Sequence, residues 1–392
     1  MQPSTLPATI EARLIGQNFN VSIGKQFRFV LAIPNNQTQD QLRNDPSAFL
    51  RVEVHAAVTT RKDVRDAASG SSIPAVIETH DLPFSSLGRN ESGDVVALLG
   101  SNSSGASLRL RKSGIYPVSL SIRVGDRESA RLLTFINFIT VQTSKNTLSV
   151  SVVAEINPPL SQLPNGEISL PDATRSTLNG MVAALSNNTA QMSLRISPET
   201  LNNLASSTQS QDAALLGQIQ SVLSQHQTLA STYVSFDPSA AEEAKMSKEF
   251  IQLLQRGVDV LDLRNGDASV NPRTWFSTKT ISEKGVSLLA SLGYTNIVFS
   301  PQAAQALGAL DSYTKQYRAK YPNDVAKKVS LGVADPIYAA SMSAITRSPV
   351  QTSMAIAAEV VAQQSELVVG QRQPLDHHLV ISTFDGSLPN PV

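Results

Sequence analysis

The feature that most constrains the fold is a change in hydrophobic rhythm near residue 150. Before it, apolar residues alternate with polar ones, as in residues 50–56 and 116–124. After it, short and nearly continuous apolar runs such as residues 151–156 alternate with segments of helical periodicity. Alternation is typical of strands with one face in water, whereas continuous runs favour strands buried on both faces. The rhythm therefore predicts two domains of different class, residues 1–147 and 148–392.

The first domain reads as several short strands of alternating pattern, separated by polar turns such as Asn35-Asn36 and Gly125-Asp126. No long helical run interrupts them. Regularly spaced short strands of this kind are typical of two antiparallel sheets packed face to face. We therefore expect residues 1–147 to form an antiparallel, Ig-like β-sandwich.

The second domain shows seven strand–helix alternations. The predicted strands are residues 151–156, 191–196, 231–236, 259–263, 295–299, 329–333 and 378–384. The predicted helices include residues 172–185, 212–226, 240–255, 282–292 and 349–367. Repeated βα units favour a parallel sheet, and this many favour a closed or partly closed barrel. Since a complete last unit would continue into a helix, we expect this barrel to be truncated at its carboxyl end.

Composition excludes several classes of function. The chain has 32 Lys and Arg residues against 32 Asp and Glu residues, so it offers no net field that would gather nucleic acid. It has no cysteine, which excludes disulfides, thiolate metal sites and cysteine nucleophiles. No nucleotide-binding, phosphate-binding or zinc motif occurs. We therefore expect no nucleic-acid partner, no cofactor and no metal.

The polar residues suggest a location. They are mostly Ser, Thr, Asn and Gln, and the first seven residues are typical of a mature N-terminus rather than of a signal peptide. No apolar run approaches the length of about 20 residues that a membrane helix needs. We expect an extracytoplasmic protein that reaches a membrane only through an anchor outside this chain.

Two segments carry a resemblance to a known family. The sequence Ser-Gly-Ile-Tyr-Pro-Val at residues 113–118, followed by Leu-Thr-Phe-Ile at 133–136, resembles two strands of an actinobacterial family of exported envelope proteins. The helical segment 354–362 and the strand after it resemble the same family. The resemblance implies a β-sandwich followed by a polysaccharide-deacetylase-like α/β barrel, a carboxyl-terminal membrane anchor and a link to cell-wall processes. It implies no reaction.

Candidate catalytic residues follow from the predicted barrel, because the carboxyl ends of its strands form the active face. The carboxylates at these ends are Glu155, Asp237, Asp262, Asp335 and Asp385. Two of them lying about 5–10 Å apart in an open cleft would form the acid/base pair of a glycan hydrolase. The alternative is that these residues cap the helices and turns that follow, which Asp-Pro at 237–238 and 335–336 favours.

Three further side chains are candidates for ligand binding. Arg195 and Arg264 follow predicted strands, and Trp275 lies in a predicted loop where its ring could stack on a sugar. The alternative for Trp275 is a ring folded onto the core. Residues 383–386, Thr-Phe-Asp-Gly, are similar to the metal-binding strand of polysaccharide deacetylases. They lack its second aspartate and the histidine motif behind it, so no metal site is predicted.

The function predicted from these observations is that of an envelope protein whose barrel binds a cell-wall glycan or an envelope protein without catalysis. It follows from the lack of a complete catalytic constellation, which fold analogy cannot replace. The alternative is a metal-independent glycan hydrolase that uses two of the strand-end carboxylates.

Overall fold

The structure is a computed structural model, and it describes residues 6–100, 107–140, 148–186, 190–266, 268–308, 310, 312–321, 324–343, 348–368 and 377–388. The chain divides into two compact units. Unit one comprises Met1–Thr147 and Ala344–Leu375, and unit two comprises Leu148–Ser343 and Asp376–Val392. The sequence-predicted second domain, residues 148–392, is therefore interrupted by a segment that belongs to unit one.

The strands are, in chain order, β1 (Arg13–Gln17), β2 (Asn20–Ser22), β3 (Gln26–Ala32), β4 (Ala48–His55), β5 (Val76–Pro83), β6 (Gly88–Arg89), β7 (Val95–Gly100), β8 (Gly114–Val124), β9 (Arg127–Ile139), β10 (Leu148–Ile156), β11 (Ser193–Ile196), β12 (Gln227–Leu229), β13 (Val270–Asn271), β14 (Thr274–Ser277), β15 (Asn296–Phe299), β16 (Tyr317–Tyr321), β17 (Asp324–Val333) and β18 (His377–Ile381). The α-helices are α1 (Asn36–Asn44), α2 (Arg61–Ser69), α3 (Asp172–Ser186), α4 (Pro198–Ser206), α5 (Ser210–Leu223), α6 (Pro238–Glu243), α7 (Ser247–Arg264), α8 (Glu283–Ser291), α9 (Pro301–Ala304), α10 (Pro336–Ser343) and α11 (Pro349–Val368).

Two sheets with one shared core build unit one. Their strand orders are β1-β3-β7-β6 and β2-β9-β8-β4-β5, and every pairing is antiparallel except that of β2 with β9. The alternation seen in the sequence explains the core. Phe27, Phe29 and Leu31 of β3 point inward and are at most 1% exposed. Residues of β4 and β8 face them from the other sheet.

Helix α11 packs within unit one, whereas the sequence analysis placed it in the second domain. Three small residues, Ala355, Ala358 and Ala362, form one face that is buried against α2 and the neighbouring sheet. The same packing places the buried carboxylate of Glu359 3.3 Å from Arg65 Nη1. Periodicity reveals such a helix but not its partner, because an alanine face fits a close contact with any smooth neighbour.

Unit two contains two sheets. One is fully parallel with the order β13-β12-β11-β10-β18; the other has the order β14-β15-β17-β16, in which only β16 runs antiparallel. A parallel bridge between Ala334 and Val380 links them. The protein is thus a multidomain α/β chain, with antiparallel sheets in one unit and a curled, half-barrel sheet in the other.

Two predicted strands of unit two are wrong. Residues 259–263 lie in helix α7, and residues 231–236 form a loop after the shorter strand β12. The buried residues Leu254, Gly257 and Leu261 recur at helical spacing along α7 and into the first of these segments. Its mixture of apolar and acidic residues fits either element locally, but continuation of a helix that already starts at Ser247 outweighs strand propensity.

Two histidines of unit two predict how its stability depends on pH. Burial lowers the pKa of His226 and of His378 below the ordinary value of 6.5. Below about pH 6.5 the histidines bind protons more readily in the unfolded chain than in the folded one. The free energy of unfolding therefore decreases as the pH is lowered. Carboxylates with a lowered pKa, such as Asp212, contribute a loss only below about 3.8.

We therefore expect the urea midpoint of unit two to drop between pH 7 and about pH 5.5, within the window set by the ordinary histidine pKa. His226→Gln should reduce the slope. A midpoint that stays constant over this range would contradict the assignment.

No helix in the described ranges is both long enough and apolar enough to cross a membrane.

Candidate functional site

The site lies at the carboxyl ends of β10 and β11, where two sequence-predicted residues meet. Glu155 and Arg195 are direct partners in the register of these parallel strands, so their side chains share one face. Arg195 Nη1 lies 3.3 Å from Glu155 Oε1, and the side chains are 10% and 12% exposed. The structure brings these candidates together as a largely buried ion pair.

Arg195 is held by more than Glu155. Its Nη1 donates to the carbonyl oxygen of Phe276 at 3.1 Å, and its guanidinium carbon lies 4.9 Å from the centre of the Trp275 ring. A guanidinium over an indole face is a favourable cation–π arrangement. The cation therefore has a fixed place at the strand ends.

Trp275 is not a sugar-stacking platform. It lies in strand β14 rather than in a loop, is 2% exposed and contacts Tyr294 edge to face at 5.5 Å. The turn residues Asn271 and Pro272 predict a loop, but strand β14 already begins at Thr274. The ring forms the floor under Arg195, so its role is to position that side chain.

The turn after β18 completes the rim beside Glu155. The backbone N–H of Glu155 donates to the carbonyl oxygen of Gly386 at 2.7 Å. Gly386 has φ 85°, and an added Cβ would lie 2.9 Å from the Phe276 ring, so the turn needs glycine there. The neighbouring Phe384 is 42% exposed. The turn that borders Glu155 thus carries an exposed aromatic ring, whereas the ring predicted for a stacking role, that of Trp275, is buried.

Asp385 is the internal acceptor of this turn. Its Oδ1 accepts from the Ser387 N–H at 3.0 Å, the Ser387 hydroxyl at 2.8 Å and the Thr383 hydroxyl at 3.1 Å. Desolvation raises the pKa of the Asp385 carboxyl, but the hydrogen bonds outweigh it and the net shift is downward. A carboxyl held this way suits a structural acceptor better than a general acid.

Asp237 and Asp335 stand at helix entries. Asp237 Oδ1 accepts from the N–H groups of Ser239 and Ala240, both at 2.9 Å, and so caps α6. Asp335 is fully buried before α10 and accepts from the Ile337 N–H at 2.9 Å. Both follow the capping alternative of the sequence analysis.

Asp262 and Arg264 lie away from the strand ends, because the strand predicted for them is helix. Asp262 is exposed on α7, and Arg264 is the last residue of that helix. The carbonyl oxygen of Arg264 accepts from Gln220 Nε2 at 3.0 Å. Neither residue belongs to the candidate site.

The rim carries a shallow, open cleft. Its lining residues are Glu155, Asn157, Arg195, Ile196, Ser197, Ser231, Thr232 and Ser235. The cleft leaves ≈ 10 Å³ for water-sized groups, which is room for one water molecule. A ligand would therefore lie across these polar groups rather than inside a closed pocket.

Sequence reasoning missed one buried carboxylate near these strand ends. Glu199 follows β11 in the first turn of α4 and is 1% exposed. The available signal was a charged residue three positions after an apolar strand, directly behind Pro198. In the part of the chain that the structure covers, no group of three or more His, Asp or Glu side chains is placed to hold a metal ion.

Comparison with known proteins adds distant likenesses only. No protein-family model matches the chain, and no curated protein matches it by sequence. A 4-alpha-glucanotransferase from Thermococcus litoralis is 10% identical over 61% of this chain and 33% of its own, with a TM-score of 0.42. A β-glucuronidase from Ruminococcus gnavus is 9% identical over 95% of this chain and 54% of its own, with a TM-score of 0.25.

A candidate membrane-anchored protein from Corynebacterium diphtheriae is 9% identical over 38% of this chain and 28% of its own, with a TM-score of 0.19. The chain thus spans about a third of the length of the first of these structures and at most 54% of the three. At such scores the likenesses carry no argument about activity, and the function has to be argued from the site itself.

Proposed function

We propose that this chain is part of an extracytoplasmic cell-envelope protein whose second unit binds a cell-wall glycan without cleaving it. The observation that carries this proposal is the engagement of the strand-end carboxylates. Glu155 pairs with Arg195, Asp237 and Asp335 accept at helix entries, and Asp385 holds a turn. Acid/base catalysis needs carboxyl groups that can exchange protons with a substrate.

A glycan fits the rim because the rim offers mixed polarity. Asn157 and Ser235 are exposed and can hydrogen-bond hydroxyl groups in either direction. The exposed ring of Phe384 supplies an apolar face for the C–H side of a sugar. A few polar groups beside an apolar surface are what fixes the orientation of a small ligand. An envelope protein as ligand is the other outcome that a binding experiment would reveal.

The hydrolase alternative needs two carboxyl groups about 5–10 Å apart, with space for the attacking water or the glycosidic oxygen. Glu155 is tied to a cation at 3.3 Å, and the cleft beside it holds little more than one water molecule. No observation on the described residues favours this alternative. Hydrolysis of the bound glycan by the chain would support it.

The fold is part of the proposal. We propose that unit one is Ig-like, which its strand orders support because they match the ABED and GFC arrangement with two added edge strands, β2 and β5. Tyr116, near the start of β8, donates its hydroxyl to the carbonyl oxygen of Lys112 at 2.8 Å, as a tyrosine corner does. Val118, two residues later, is fully buried where antibody domains have a cysteine.

We also propose that unit two closes into a seven-stranded barrel. On one side the Ala334–Val380 bridge links its two sheets. On the other side, only two residues separate β13, which pairs with β12 in the first sheet, from β14, which pairs with β15 in the second. The chain therefore passes directly from one sheet to the other at this point. Membership in the actinobacterial envelope family, export and anchoring rest on the sequence resemblance and on the Ser-, Thr-, Asn- and Gln-rich, cysteine-free composition.

The binding proposal is tested with fragments of peptidoglycan and arabinogalactan, titrated into the 392-residue chain and followed by NMR. Phe384→Ala should weaken binding by about fivefold to tenfold, since it removes one aromatic contact of roughly 1 kcal/mol. Leu263→Ala is the matched control, because Leu263 is also exposed, at 68%, but lies on α7. Equal affinity of both variants, or no binding by the wild type, would refute the site.

A further inference from the structure

A second pocket in unit two contains a buried carboxylate that the rim does not use. The pocket has a volume of ≈ 380 Å³, which lies in the range of small-ligand sites. Its lining residues are Leu160, Gln162, Leu163, Pro164, Gly166, Glu199 and Val234. The charged residue of this lining is Glu199, and the rest is largely apolar.

One oxygen of Glu199 is fully engaged. Oε1 accepts from the backbone N–H groups of Ser161 and Gln162, at 2.8 and 2.9 Å, and from Asn203 Nδ2 at 2.6 Å. These contacts pin the loop after β10 to helix α4. They also fix the carboxylate in one orientation, so its other oxygen has a defined place.

The other oxygen is the unusual one. Glu199 Oε2 is buried and has no hydrogen-bond partner among the residues that the structure describes. Leaving a buried acceptor unsatisfied destabilises the folded state, and more so when the group is charged. Buried polar groups of this kind are rare and call for a partner. Glu199 is also one of the residues that line the pocket, so a group bound there lies against this side chain.

The walls indicate what kind of partner fits. Leu160 and Leu163 are 58% and 43% exposed, so the loop holds apolar side chains in water at the pocket. The described lining contains no lysine or arginine that could neutralise the carboxylate. A group that donates a hydrogen bond, carries positive charge and has an aliphatic stem matches both features.

We propose that this pocket binds a primary alkylammonium group, such as the side chain of a lysine-like residue or a free diamine. The ammonium donates to Glu199 Oε2, and its methylene stem packs on Leu160, Leu163 and Val234. This site does not depend on glycan binding at the rim.

The test titrates n-butylammonium into the full chain at pH 7 and follows the backbone amides of Ser161 and Gln162 by NMR, with 1-butanol as the uncharged probe. We expect the amine to shift these amides in the wild type and the alcohol to leave them unchanged. Glu199→Gln should weaken amine binding by about tenfold or more, because it removes a charge-assisted contact. Glu167→Gln, in the same loop but exposed, should bind like the wild type.

Three results would overturn the proposal. They are equal shifts with the alcohol, unchanged affinity in Glu199→Gln, and no shift with the amine at any concentration, which would mean that Oε2 stays without a partner. If Glu199→Gln fails to fold, Leu163→Lys decides. It leaves the Glu199 contacts intact. The ammonium of the new lysine should abolish amine binding, because it repels the ligand and occupies its place, whereas retained binding would place the amine elsewhere.

Discussion

Replacing Gly257 with alanine is expected to destabilise unit two by about 3 kcal/mol or more, because the new side chain meets a backbone that has no room to move. An added Cβ would lie 2.1 Å from the Ser231 carbonyl oxygen and 2.8 Å from the Tyr233 nitrogen. The Tyr233 N–H donates to the Leu253 carbonyl oxygen at 2.8 Å, which locks the loop onto α7. Urea unfolding with a probe in unit two measures the loss.

The sign of this effect is informative. In an open helix, alanine is more favourable than glycine by about 1 kcal/mol. Gly217 of α5 provides that control, since nothing lies within 4 Å of an added Cβ there. We expect Gly217→Ala to stabilise the unit slightly, whereas Gly257→Ala destabilises it strongly. A neutral or stabilising Gly257→Ala would show that the loop at Ser231–Tyr233 does not press on α7.

Replacing Arg195 with methionine is expected to destabilise unit two by about 3–5 kcal/mol, the range found when one partner of a buried ion pair is removed. Glu155 then loses its cation at 3.3 Å, and the Phe276 carbonyl loses its donor. The side chains are only 10% and 12% exposed, so water replaces these contacts poorly. Thermal and urea unfolding of the variant measure the effect.

A double-mutant cycle separates the pair from its surroundings. Glu155→Gln combined with Arg195→Met leaves no uncompensated charge, so it should be more stable than Arg195→Met alone. A loss below about 1 kcal/mol for Arg195→Met, the range of exposed pairs, would mean that the pair is solvated and free to act. That result would revive Glu155 as a catalytic candidate.

Much of unit one could be predicted from the sequence, because its strands show their faces. The alternation in residues 50–56 identifies the inward-facing residues of β4. The same pattern in β3 identifies Phe27, Phe29 and Leu31. Strands β3 and β4 have one more exposed side, so their burial can be read from the local pattern. Strand β8 alternates apolar and polar residues but is buried on both faces, which the pattern does not predict. Helix α11 was also predictable as a helix, but its location was not, because that depends on a contact with α2 some 290 residues earlier in the chain.

Unit two was harder because buried strands lack alternation. The segment Asp-Val-Leu-Asp-Leu at residues 259–263 suits a strand and a helix equally, and only the packing of Gly257 and Leu261 decides for the helix. That one error placed Asp262 and Arg264 in the predicted site, although both lie on helix α7. Trp275 was misplaced for a related reason, since Asn271 and Pro272 resemble a loop although β14 begins at Thr274.

The site itself was partly predictable. Glu155 and Arg195 were named from their places at the ends of apolar runs, and adjacent parallel strands bring such ends together. Their pairing, and the capping by Asp237 and Asp335, depend on geometry that spacing alone does not contain. Glu199 was missed because helix α4 was not among the predicted elements and because its burial comes from the loop that folds over it.

The most direct test of the central claim is the release of new reducing ends from peptidoglycan or arabinogalactan fragments held at saturating concentration with the chain. Our account predicts that the bound fragments are recovered intact, with no difference between the wild type, Glu155→Gln and Asp335→Asn. Release by the wild type that falls in Glu155→Gln or Asp335→Asn would contradict it, and would assign the rim to a hydrolase.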